Sequence, residues 1–177
     1  MDFNFTDEQQ LLADTLRRFV REHYSFDARR DILMSTDGWS REVWQELAGL
    51  GLTALNVPEE HGGLGAGAVE TMLVMNVLGE GLVLEPFLSA AVLAPALLAQ
   101  LGETAAAREL LPKIASGERI VIVAHQEPQT RGELNVVAAR AEKNGDGYIL
   151  QGKKSVVTHG GLADEYLVTA RTSGKPT

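Results

Sequence analysis

The spacing of apolar residues changes once along this chain, near Gly117, and the change limits the folds open to it. Before that point apolar side chains recur every three to four residues; after it they stand in short runs broken by turn residues. Helical stripes and half-buried strands bury their faces against different partners, so a chain that switches from one to the other is read as two domains. The charge divides at the same place. Residues 1–118 hold 8 basic and 18 acidic side chains, residues 119–177 hold 8 basic and 6 acidic, and the whole chain carries −8. We expect an all-α helical bundle over 1–118, followed over 119–177 by short strands of an antiparallel β-barrel or sandwich.

Six helices are predicted in the first part. Thr6 and Gln9 form a capping box, with Asp7 and Glu8 at the positive helix terminus and Leu12, Leu16, Phe19 and Val20 at helical spacing behind them. A short helix follows over Phe26 to Met34. Ser40 caps a third, with Val43, Trp44 and Leu47 on one face and Gly51 as its stop. The glycine-dense stretch Gly62–Gly67 reads as the turn that opens a fourth helix, from about Ala66 to Leu82. Pro86 then breaks the chain before a very apolar fifth helix, Phe87 to Leu101, and a sixth spans Thr104 to Ser116.

Five strands are predicted in the second part: residues 120–123, 136–141, 148–150, 155–158 and 166–170. Asn144-Gly145 between two of them signals a hairpin with a type I′ turn.

Several chemistries are excluded or disfavoured. With no cysteine there is no disulfide, thiolate metal site or thiol nucleophile. The negative charge argues against nucleic acid as a partner. The richest apolar stretch, Gly81 to Leu101, is interrupted by Glu85, Pro86, Ser89 and Pro95, so no membrane insertion is expected, and the acidic, polar start favours a cytoplasmic protein. Gly62–Gly67 lacks the G-x-G-x-x-G spacing, and Gly147–Lys154 has Lys154 where a phosphate-binding loop needs Ser or Thr. His125-Gln126-Glu127 imitates a deaminase signature without its cysteines. No two histidines stand four residues apart, so no metal site is written, and Lys153-Lys154 reads as a charged turn. These residues alone name no reaction.

Five strings in order resemble the acyl-CoA dehydrogenase family. They are the opening at residues 2–10, Pro58-Glu59-Glu60-His61-Gly62-Gly63-Leu64-Gly65, Glu127-Pro128 after an apolar strand, the hairpin over Arg140–Lys154, and Val156-Val157-Thr158-His159-Gly160. The resemblance implies an FAD enzyme that oxidises the α–β bond of an acyl-CoA thioester, passes electrons to an electron-transferring flavoprotein, and assembles as a homo- or hetero-oligomer with a related subunit. It also implies cofactor-binding roles for His125, Gln126, Val156, Val157 and Thr158. Here Gln126 stands where the family has Thr, Val156 where it has Trp, and His159 where it has Asn. Gly132 and Glu133 replace the Ser and Asp of its substrate-binding turn, and Arg131 beside them offers a charge to a CoA phosphate. The resemblance further implies that 119–177 is the first part of an incomplete antiparallel β-barrel middle domain, and that the family's catalytic glutamate falls beyond Thr177, so that these residues alone are inactive. Two other readings stay open: a non-catalytic partner subunit of a heteromeric dehydrogenase, and a helical interaction module without a ligand.

Overall fold

The structure is a computed structural model that describes residues 4–130 and 132–175. It divides into two compact units, residues 1–119 and 120–177.

The first unit is helical throughout. Helix α1 (Asp7–His23) begins at the expected capping box: the Thr6 side chain accepts from the Gln9 amide (3.2 Å), and the Gln9 side chain accepts from the Thr6 amide (3.0 Å). Helices α2 (Phe26–Leu33) and α3 (Arg41–Gly49) follow, capped by the side chains of Ser25 and Ser40. The core forms around Trp44, Leu16, Leu47, Leu52, Val74 and Leu98, all fully buried. The Trp44 indole N–H donates to the Gly117 carbonyl at 3.1 Å, so the largest core side chain leaves no polar group unpaired. Gly117 itself sits at φ +71, and a Cβ there would lie 2.6 Å from the Ala48 side chain. Position 117 therefore requires glycine twice over, for its backbone angle and for the close approach of α3.

The glycine-rich stretch before α4 (Ala68–Glu80) is a clip. The amides of Leu64, Gly65 and Ala66 donate to the carbonyls of Ala54, Val57 and Leu55 at 2.8–2.9 Å. Those donors are spent inside the protein, which removes the phosphate-cradle reading on geometric grounds. A Cβ on Gly63 would stand 1.9 Å from the Val57 carbonyl oxygen, so the clip closes only over glycine.

The predicted fifth helix differs from expectation. Residues Phe87–Leu93 form a π-helical turn that passes into α5 (Ala94–Gln100). Pro95 has no N–H to offer the Ala91 carbonyl four residues back, and the Asn56 side-chain amide donates to that carbonyl instead (3.3 Å). Helix α6 (Ala105–Ala115), capped by Thr104, completes the unit.

Among its described residues the second unit holds four strands: β1 (Val121–Ala124), β2 (Arg140–Asn144), β3 (Gly147–Gln151) and β4 (Glu165–Val168). β2 and β3 form the expected antiparallel hairpin, with its turn at Gly145-Asp146 between the paired Asn144 and Gly147. Only Gly145, at φ +59, is left-handed, so the turn has the II′ pattern rather than I′. β1 and β4 pair in parallel, Ala124 opposite Val168, which corrects the all-antiparallel expectation. The chain between them is long enough for the crossover that parallel pairing requires. No closed barrel forms among the described residues.

The strand predicted at 155–158 is absent. Val156 sits at φ +50, which a β-branched residue adopts only at a cost of about 1–3 kcal/mol, and extended pairing stops there. Residues 136–139 likewise lie outside β2. No described helix is long and apolar enough to cross a membrane.

Candidate functional site

The predicted site residues stand on two segments of the second unit that the fold brings side by side. One leaves the end of β1 as His125-Gln126-Glu127. The other follows the hairpin as Lys154-Ser155-Val156-Val157-Thr158. Their link is backbone and ionic: the Ser155 amide donates to the Gln126 carbonyl at 2.8 Å, and the Lys154 ammonium donates to the Glu127 carboxylate at 2.8 Å.

That ion pair is buried, with the Glu127 side chain 1 % exposed and the Lys154 side chain 10 % exposed. Removing two charges from water is costly unless every polar atom is satisfied. Here each is. The second carboxylate oxygen of Glu127 accepts from the Ala138 amide (2.9 Å) and the Gln129 side chain (2.8 Å), and the first also accepts from the Ala139 amide (2.9 Å). Lys154 has three N–H bonds and three acceptors: Glu127, the His125 carbonyl (3.0 Å) and the Thr169 hydroxyl (3.0 Å). Burial pushes the Glu127 carboxyl up, but the Lys154 ammonium and the two amides outweigh it and hold the group at about 2. The pair is thus a charged clasp at neutral pH, joining the segment after β1, the segment after β3 and the end of β4.

Outside the clasp lies a surface of mixed character. Gln126, Val156 and Thr158 are exposed, Val156 to 80 %, while His125 and Val157 are half-buried. The structure therefore brings all five predicted cofactor residues to one region. His159 follows at φ +59 and caps a short turn over Gly160–Leu162; burial lowers its imidazole pKa. Gly132 is exposed at φ +90, and Arg131 lies outside the described residues.

Sequence reasoning missed two groups. Lys154 reads as a charged turn because its partners are 15 to 29 residues away in sequence. Glu85 is the second. It is buried in the helical unit, accepts from the Tyr24 hydroxyl and from the Ser40 amide (3.1 Å), and so ties the end of α1 to the cap of α3. Burial raises the Glu85 carboxyl above its ordinary range. A lone charge inside the most apolar stretch of the chain was the signal available for it.

The family model described as "Acyl-CoA dehydrogenase, N-terminal domain" matches residues 6–118. Mitochondrial isovaleryl-CoA dehydrogenase of Pongo abelii is 32 % identical over 94 % of this chain and 40 % of its own length. The chain thus spans about two fifths of that relative. Among solved structures, the ChsE4-ChsE5 complex from Mycobacterium tuberculosis superposes with a TM-score of 0.84 at 31 % identity, covering 97 % of this chain and 46 % of that one. The FAD complex of PigA gives 0.81 at 27 %, covering 99 % and 46 %. With the family's N-terminal domain matched across the helical unit and its fold matched along nearly the whole length, the chain belongs to the acyl-CoA dehydrogenase family.

Proposed function

We propose that this chain is the N-terminal part of an FAD-dependent acyl-CoA dehydrogenase subunit, and that its 125–126 and 156–158 segments face the flavin ring. The observation that carries the reading is the clasp. It fixes two loop segments in register and leaves an apolar surface, Val156 and Val157, flanked by the polar side chains of Gln126 and Thr158. A flavin ring is flat and apolar with hydrogen-bonding atoms at its edge, so that surface fits it. The PigA complex, which shares the fold, holds FAD.

Flavin supplies acceptance of a hydride from an acyl thioester. The chain's own contribution is positioning. The Thr158 hydroxyl and the Gln126 amide offer hydrogen bonds to the edge of the ring, and Val156 and Val157 exclude water from its face. Arg131 and Gly132 supply a charge and an open backbone for the CoA part of the substrate. We further propose domains at 1–118 and 119–177, transfer of electrons to an electron-transferring flavoprotein, and assembly with itself or a related subunit. A non-catalytic subunit of a heteromer is the second reading, favoured by the replacements at Gln126, Gly132 and Val156 and by the likeness to a two-component complex.

We propose that the 177 residues alone do not turn over, because the chain spans only about two fifths of the length of its active relatives. Two assays on the purified chain test both points. Flavin fluorescence is expected to be quenched on titration, and Val156→Asp to weaken that binding at least tenfold. Acyl-CoA oxidation with an artificial electron acceptor is expected to be absent. Equal binding by Val156→Asp defeats the flavin face, and measurable oxidation defeats the inactivity.

A further inference from the structure

The carbonyl and side chain of His125 both belong to the clasp, and counting donors there assigns the imidazole a single protonation pattern. Ala124 pairs with Val168 in the parallel register, so His125 and Thr169 are the first residues past the two strand ends. The Thr169 amide donates back to the Ala124 carbonyl at 3.3 Å, which holds that register. His125 Nδ1 lies 3.0 Å from Thr169 Oγ1, and Lys154 Nζ lies 3.0 Å from the same oxygen.

An ammonium can only donate. Thr169 Oγ1 is therefore an acceptor toward Lys154, and its one proton is left to donate. His125 Nδ1 is the acceptor in reach. The opposite arrangement would fill both lone pairs of the threonine oxygen and leave its proton without an acceptor in this network. With Nδ1 accepting, the ring proton sits on Nε2, at the edge turned away from Thr169.

We propose that Lys154 and Thr169 form a relay that fixes His125 as the Nε2–H tautomer, and that this N–H is a directed hydrogen-bond donor to the acceptor atoms at the edge of the flavin. The ligand role rests on the flavin reading above; the relay itself does not. Lys154 and Thr169 are positioning residues acting through His125. The arrangement gives the buried lysine a second task besides neutralising Glu127. It also replaces the rotational freedom of an ordinary surface histidine with one orientation, which lowers the ordering cost when a ligand binds.

The test uses the 177-residue chain with 15N-labelled histidine, where His125→Gln assigns the His125 signals among the four histidines. The expected spectrum shows Nδ1 unprotonated and Nε2 protonated as one dominant tautomer. Thr169→Val cuts the relay but keeps the Lys154–Glu127 pair, and is expected to give a mixed tautomer. It is also expected to weaken FAD binding three- to tenfold, the loss of one hydrogen bond's orientation, with Thr169→Ser restoring both. A protonated Nδ1 in the wild type overturns the relay whether or not Thr169→Val folds. An unchanged tautomer in a folded Thr169→Val does the same. A changed tautomer with unchanged FAD affinity overturns the donor role. Absence of FAD binding by the wild type defeats the flavin reading, and the donor role with it, while the tautomer still decides the relay.

Discussion

Removing one partner of the Glu127–Lys154 pair is the sharpest perturbation of the second unit. At 2.8 Å the gross attraction is about 6 kcal/mol at an effective dielectric of about 20, offset by the desolvation of both ions. Lys154→Met leaves a nearly buried carboxylate holding two backbone amides and the Gln129 side chain but no counter-charge, which costs about 3–5 kcal/mol. Glu127→Gln strands the ammonium and costs about 2–4 kcal/mol by the same reasoning. In the double variant the glutamine oxygen accepts from one of the Ala138 and Ala139 amides, the other amide loses its acceptor as it does in Glu127→Gln, and no isolated charge remains. Its cost is expected to fall short of the sum of the single costs by at least about 2 kcal/mol. Trp39 and Trp44 both belong to the helical unit, so fluorescence does not report on this region. Amide hydrogen exchange of β1, β4 and Ser155 reads the opening free energy directly. Additive effects, within about 0.5 kcal/mol, would refute the claim that the two charges act as one buried unit.

Three further outcomes follow from the same chemistry. Because Glu127 is held at about 2, below the ordinary 4.5, the stability it contributes is complete above that ordinary value and is lost as pH falls through about 2. Exchange protection of wild type over Glu127→Gln is therefore expected to be constant above pH 5 and to vanish at the acid end. Glu85 has the opposite sign: burial raises it, so its contribution is complete at low pH and is lost as pH rises through the raised value. Acidification from pH 7 to pH 5 is expected to stabilise the helical unit relative to Glu85→Gln in urea unfolding followed by tryptophan fluorescence, and a relative loss would contradict it. Val156→Gly is expected to raise the stability of the second unit by about 1 kcal/mol, since glycine adopts the left-handed angle freely; a lower opening free energy by exchange would refute the strain.

The elements that the sequence revealed are those specified locally. The Thr6–Gln9 box and the Ser40 cap each depend on residues within four positions and appear where expected; the hairpin at Asn144-Gly145 also forms, with its turn one residue later and of the II′ pattern. What was not legible depends on distant partners. Whether Ser155–Thr158 forms a strand is settled by a left-handed Val156, which no propensity anticipates. The parallel pairing of β1 with β4 joins residues 44 apart. Within the π turn at Phe87–Leu93, the Ala91 carbonyl that Pro95 cannot serve is met by the side chain of Asn56, 35 residues away. The site shows the same limit. His125, Gln126, Val156, Val157 and Thr158 were named from resemblance to the family, but Lys154, which binds their two segments together, looked like one of a pair of solvent-facing lysines.

Chemical-shift mapping of FAD onto the isotope-labelled chain tests the flavin-face proposal at residue level. The expected perturbations are confined to the second unit and centre on His125, Gln126, Val156, Val157 and Thr158, with the β2–β3 turn at Gly145 unmoved. Shifts that centre elsewhere, or a spectrum that does not change at millimolar FAD, would contradict it.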